Sequence, residues 1–347
     1  MFLNYINAFR ALSIFFIVSL HVMLVCFWGN NLEQQKILHI TLSNGTALFI
    51  FIGGYLFQHL SPKFDTRRYY ISKFKYVLLP YLVVSMPLIL YYVFISSTGG
   101  VSKEFLAQPA WLQIFYYYWH GLHLFPMWFV PMMAIFYFTG PLLIRGDRTK
   151  VLYWLLPVFI LMSLVVQRSQ FPTNNFLHFF SYYALGMFCS KYKSLVNPVI
   201  AQYRIILLFA VGLITLYLVQ YFVLMPGFKG LKYVQTIFLI FTILGLLIKF
   251  EHLTKSTLIS IVANTSFGIY FVHAFVLQFL QILSSIINRH SSTFASTFYP
   301  GNILLHFLVT CITMLLSILL VLAIKRLLGD KTYILIGNVP SIKNTSR

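Results

Sequence analysis

Apolar runs of membrane-spanning length, separated by short breaks carrying charge or Gly and Pro, recur along the chain at about 8–28, 37–60, 74–96, 123–144, 151–167, 173–190, 203–225, 232–250, 257–288 and 302–324. A helix rises about 1.5 Å per residue, so about 20 residues cross a hydrocarbon core roughly 30 Å thick. Each run therefore predicts a transmembrane helix, and together they predict an all-α, polytopic transmembrane helical bundle of about ten spans. The ninth run is about 32 residues, too long for one upright crossing. Its opening, STLISIVANTS, is expected to lie along the inner interface before the chain turns across the membrane near Ser266. There is no internal repeat and no low-complexity tract, and after Leu328 a short polar stretch follows. Residues 1–328 read as one membrane domain and 329–347 as a cytoplasmic tail.

Composition sharpens this picture. Of 347 residues, 59% are hydrophobic and 9% charged, with a mean hydropathy of +0.83, values that exclude a soluble domain. The net charge of +19 would point to nucleic acid in a soluble protein, but here the basic residues sit in short loops. With the N-terminus inside, only Lys36, Lys103, Arg168, Lys229, Lys232 and Arg289 fall in outer segments, and the other 19 of the 25 Lys and Arg fall in inner ones. That bias places both termini in the cytoplasm and requires an even number of spans. The expected partner of this charge is the lipid bilayer, with no nucleic acid. The first run is too long for a signal peptide and lacks a small-residue cleavage site, so it reads as a retained span.

Cys26, Cys189 and Cys311 form no CxxC pair and have no acidic or histidine companion at ligand spacing, which supports neither a disulfide nor a metal. All six acidic residues, Glu33, Asp65, Glu104, Asp147, Glu251 and Asp330, lie in loops or the tail. An ion-coupled transporter would be expected to carry some of them within its spans.

The candidate chemistry begins in the first span, where NAFRALSIFFIVSLHVMLV places Arg10 and His21 eleven residues apart. At about 100° per residue they return to within roughly 20° of one direction, so they share a stripe about 16 Å long. That puts His21 near the middle of the membrane, where an ionisable side chain is costly and is by default a functional hypothesis. The plainer alternative is a histidine bonded to a neighbouring helix, with Arg10 as a cytoplasmic anchor. If the ninth crossing starts near Ser266, His273 lies about two turns in, at a depth close to that of His21, and the two histidines can converge. His120, His123, His178 and His306 are expected in the outer half. The aromatic run Tyr116, Tyr117, Tyr118 and Trp119 reads as an interfacial belt, with a sugar-stacking platform as the sharper alternative.

Assembled in order, these residues resemble the integral-membrane acyltransferase 3 family, whose members move acyl groups from cytoplasmic donors onto surface carbohydrates. The most specific element is the arginine and histidine of the first span, Arg10 and His21. The others are the second-span glycines of ALFIFIGGYLF (Gly53, Gly54), the fourth-span HLFPMWFVPMM (His123, Trp128), the sixth-span YYALGMF (Gly186) and the ninth-span TSFGIYFVHAF (Ser266, Tyr270, His273). Within the family, SKFKYVLLPYL is especially similar to the intercellular-adhesion protein C branch. That branch belongs to poly-N-acetylglucosamine biofilm systems, and its proteins have been described both as exporters and as O-acyltransferases. Two positions depart from the family pattern. Paired arginines at the start of the third span are here Lys73 and Lys75, and the proline after the ninth-span histidine is Ala274.

The resemblance implies transfer of an acetyl or succinyl-type group from acyl-CoA to a sugar hydroxyl in a bacterial cytoplasmic membrane, with no permanently bound cofactor. A hydroxyl is a poor nucleophile until something accepts its proton, and a neutral imidazole, favoured in apolar surroundings, suits that work. His21 is the candidate base. Arg10 is matched to donor phosphates or the pantetheine end, and His273 to orienting the donor, bonding the oxyanion or serving as a second base. Arg67, Arg68, Lys73 and Lys75, with Lys63, are the candidate attractors of the CoA headgroup, while ordinary positive-inside topology and anionic lipid contact account for them equally. His123, Trp128, His178 and Tyr270 are the candidate contacts to a polysaccharide or lipid-linked glycan. The competing readings are an exporter of the glycan itself and a non-catalytic subunit of a glycan synthase complex.

Overall fold

In the computed structural model, which describes residues 3–96, 102–223, 229–287 and 299–337, every apolar run coincides with helix. In chain order these are α1 (Asn4–Val25), α2 (Leu32–Leu42), α3 (Gly45–His59), α4 (Thr66–Lys73), α5 (Leu79–Phe94), α6 (Lys103–Leu106), α7 (Ala110–His120), α8 (Phe129–Phe138), α9 (Gly140–Thr149), α10 (Val151–Trp154), α11 (Leu156–Val165), α12 (Pro172–Lys191), α13 (Lys193–Ile200), α14 (Tyr203–Phe222), α15 (Lys229–Lys249), α16 (Thr257–Ile287) and α17 (Ile303–Leu328). The protein is an all-α, multi-pass membrane protein. Among the described residues seven helical stretches are long and apolar enough to cross a membrane: Asn4–Val25, Leu32–His59, Thr66–Phe94, Tyr203–Phe222, Gly230–Lys249, Thr257–Ser284 and Ile303–Ile334. A helix pair bent by 79°, Ala110–His120 with Phe125–Phe138, makes eight if counted as one span. The runs at 151–167 and 173–190 fall on the short helices α10 and α11 and on α12, whose opening PTNNFLH is polar.

Two departures from the sequence pattern have local causes. Ahead of the fourth run, where the sequence reads an aromatic interfacial belt, the chain forms α7, which meets Phe125–Phe138 at a 79° bend. Gly121 adopts the left-handed conformation that ends α7 (φ 66°), and an added side chain there would collide with the backbone at Met127 and Trp128. The ninth run, expected to turn near Ser266, is one continuous helix.

The chain packs as two compact units. The first contains the described residues of 3–59, 182–287 and 299–322. Its centre is α1, which is apolar on nearly all sides and correspondingly buried, with α3 and α16 packed most extensively against it. Helices α3 and α12 cross at glycines: a Cβ on Gly54 would overlap the Tyr183 carbonyl, and a Cβ on Gly186 the Phe51 carbonyl. Beyond α1, Cys26–Phe27 pairs in parallel with Tyr299–Pro300, Gly301 N–H donates to the Phe27 carbonyl (2.6 Å), and Asn31 Nδ2 donates to the Gly301 carbonyl (2.8 Å).

The second unit contains the described residues of 60–181 and 323–337. Asp65 caps α4 by accepting from Arg68 N–H (2.7 Å), and a π-helical turn at Phe74–Leu78 joins α4 to α5 in one span. Helices α5 and α7 are tied reciprocally, Tyr81 hydroxyl to the Tyr118 carbonyl (2.6 Å) and Tyr118 hydroxyl to the Leu82 carbonyl (2.9 Å). The residues of the expected aromatic belt differ in exposure. Tyr117 is buried and Tyr118 bonds inward, while Trp119 is exposed.

Candidate active site

The stripe on α1 meets α16. Arg10 Nη2 donates to Ser266 Oγ (3.1 Å), and Ser266 Oγ donates to the Ala263 carbonyl (2.8 Å). Two turns further along α16, His21 Nδ1 and His273 Nε2 stand 2.7 Å apart with their ring planes within 11° of each other. Ser266 and His273 are seven residues apart on a continuous helix, so the guanidinium lies about 10 Å below the histidine pair along the axis. The long arginine side chain makes up the difference between that spacing and its own eleven residues on α1.

The two histidines differ in access. His273 has no exposed surface, whereas His21 is partly exposed. His273 Nδ1 lies 2.9 Å from the Ile269 carbonyl, one turn back on its own helix, and Tyr270 is buried beside the His273 ring at 6.3 Å. A third histidine, His306 on α17, packs against α1 with Nε2 2.9 Å from the Ser19 carbonyl. It starts a buried polar stripe, His306, Thr310, Thr313 and Ser317, at helical spacing. The bonds Arg10–Ser266 and Ser19–His306 had no signal in the sequence beyond polar residues on apolar helices.

The remaining candidates lie in the second unit and do not form one cluster there. Arg67 and Arg68 are exposed in the first turn of α4. Lys73 Nζ sits over the rings of Tyr137 (4.9 Å) and Tyr69 (5.5 Å), and Lys75 Nζ over Tyr333 (4.2 Å). Trp128 stacks on Phe179 (6.2 Å, 24°), and the Arg168 guanidinium lies over both, 4.7 and 5.3 Å from the ring centres. His178 Nδ1 donates to the Val166 carbonyl (2.8 Å) and His120 Nδ1 to the Gln170 carbonyl (2.9 Å), bonds that fix the loop between α11 and α12. His123 is buried between Tyr81 and Tyr118, and neither of its nitrogens has a partner in hydrogen-bonding geometry. Among the described residues no three His, Cys, Asp or Glu converge as metal ligands would.

A multi-pass helical membrane protein whose first span carries an arginine and a histidine, each bonded to a later span, is the class that fold and site define. The acyltransferase domain of the acyltransferase 3 family matches residues 3–322, and the chain belongs to that family. It is a membrane acyltransferase. No curated protein and no solved structure matches the chain.

Proposed function

We propose that this acyltransferase moves an acetyl or succinyl-type group from acyl-CoA to a hydroxyl of an exopolysaccharide or lipid-linked glycan, in a bacterial cytoplasmic membrane and in the manner of the intercellular-adhesion protein C branch. The observation that carries the reading is the asymmetry of the histidine pair. His21 is partly exposed while its partner His273 is sealed, and it shares α1 with the permanently charged Arg10 guanidinium.

The reaction needs a proton taken up and then returned. The acceptor oxygen attacks the thioester carbonyl carbon while His21 takes the hydroxyl proton. The tetrahedral intermediate collapses with cleavage of the C–S bond, and the imidazolium gives its proton to the leaving sulfur, so that an ester and a free CoA thiol result. Arg10 uses one N–H on Ser266 and has further donors in its planar fork for oxygens of the donor. Arg67 and Arg68 are exposed and suited to long-range attraction of the CoA phosphates, with Lys73 and Lys75 as point charges set on tyrosine faces. His123, Trp128, His178 and Tyr270 are the proposed glycan contacts.

The test is chemical analysis of the surface glycan. In strains carrying His21→Ala or Arg10→Ala, NMR of purified polymer is expected to show loss of an ester substituent while polymer still reaches the surface. An unchanged ester with arrested export overturns this reading in favour of a transport component.

A further inference from the structure

We infer that His273 is a positioning residue, which fixes the tautomer of His21 and so aims its proton-accepting nitrogen. The inference rests on the reading of His21 as the base and gives His273 a role outside the three considered from the sequence.

The hydrogen-bond roles follow from which atoms can donate. The Ile269 carbonyl only accepts, so the neutral His273 ring carries its proton on Nδ1, 2.9 Å away. Its Nε2 then holds a lone pair, and the 2.7 Å approach to His21 Nδ1 is a hydrogen bond only if His21 donates. His21 is thereby the Nδ1–H tautomer, and its basic lone pair sits on Nε2. A ring free to choose would divide itself between two tautomers and rotate about its side-chain bonds. The bond removes both freedoms.

The same accounting removes those three roles. Bonding a developing oxyanion requires a donor, and the one N–H of neutral His273 is held by the backbone carbonyl. Orienting the donor or acting as a second base requires contact with the substrate, and His273 has no exposed surface. When His21 takes up the acceptor's proton, its Nδ1–H bond to His273 becomes charge-assisted and strengthens. The pair therefore stabilises the imidazolium without a proton leaving His21 Nδ1.

Two substitutions separate positioning from bulk structure. His273→Gln places an amide oxygen near the position of Nε2 and keeps an acceptor for His21, whereas His273→Leu keeps bulk and removes the acceptor. The full chain in nanodiscs is assayed with acetyl-CoA and an N-acetylglucosamine oligomer. His273→Leu is expected to lower kcat about a hundredfold with KM for acetyl-CoA unchanged, and His273→Gln to stay within about tenfold of the unmodified protein. Equal losses in both variants, or a loss carried by KM, overturn the inference. If His21→Ala retains turnover, the base reading itself fails; if His21→Ala is inactive and His273→Leu is normal, only the positioning role fails. A second measurement is independent of turnover. Ring-nitrogen NMR of histidine-labelled protein, assigned by difference against His21→Gln, is expected to show protonated Nδ1 and bare Nε2 at His21, with the two forms mixed in His273→Leu. A protonated Nε2 at His21 in the unmodified protein overturns the inference.

Discussion

Adjacent glycines on α3 should respond oppositely to alanine. A Cβ on Gly54 would stand 2.8 Å from the Tyr183 carbonyl carbon and 3.0 Å from its Cα, and closer still to the oxygen. Ordinary carbon contact is about 3.5–4.0 Å, so α3 and α12 must separate by roughly 1 Å. Both sides of the contact are backbone, and no rotamer change relieves it. A gap of that size forfeits roughly a quarter to a half of each contact's attraction, and overpacking of this kind costs about 1–3 kcal/mol. Taking the upper end, and subtracting about 1 kcal/mol gained by replacing glycine within a helix, leaves a net loss of about 2 kcal/mol for Gly54→Ala. On Gly53 the Cβ would meet only the Tyr183 ring edge at 3.6 Å, an ordinary contact. Gly53→Ala is therefore expected to be neutral or stabilising by up to about 1 kcal/mol. Gly186→Ala should resemble Gly54→Ala, and the double variant should cost less than the sum, because one separation of the helices accommodates both methyl groups. Equilibrium unfolding of the full chain in mixed micelles measures all four. Indistinguishable midpoints for Gly53→Ala and Gly54→Ala would refute the close-approach reasoning.

Other expectations follow from single contacts. Arg10→Lys retains a charge and one donor for Ser266 but loses the planar fork, so it should weaken donor use about tenfold while leaving the protein folded, read as KM for acetyl-CoA. If Arg67, Arg68, Lys73 and Lys75 gather the donor, purified protein should bind CoA more weakly as salt rises and after Lys73→Met with Lys75→Met; binding that ignores both changes removes these residues from the mechanism. Gly301→Ala should loosen the C-terminal end of α1, because its Cβ would fall 2.8 Å from Trp28 Cα, and is expected to lower the thermal midpoint by a few degrees.

Hydropathy made the helices legible because lipid forces each backbone polar group to bond within its own segment, so apolar length alone marks a span. It failed where polar side chains face protein rather than lipid. Gln113, Tyr117 and His120 are buried on α7, and their polarity made that helix read as an interfacial stretch before a later span. The stripe of Arg10 and His21 was legible from helical period, and the approach of His273 from depth. Which partner each would find was not, since Ser266, His306 and Ile269 act through one atom each and leave no periodic trace. Gly54 and Gly186 were visible as family glycines, yet only the structure shows that each opens a place for the other helix's backbone. The unpartnered nitrogens of His123 were likewise out of reach, because burial without a bond is a property of the assembled unit.

The contacts around α1 carry a consequence for biogenesis. Arg10, His21, Ser19 and Asn31 find their partners 256, 252, 287 and 270 residues later in the chain. Helix α1 thus enters the bilayer with a cation and an imidazole whose mates have yet to be translated. Until α16 and α17 arrive, those groups must be sheltered by the insertion machinery or by lipid headgroups. A nascent chain stalled before α16 lacks Ser266 and His273, so under the proposed mechanism acyl transfer would have to wait until α16 is translated.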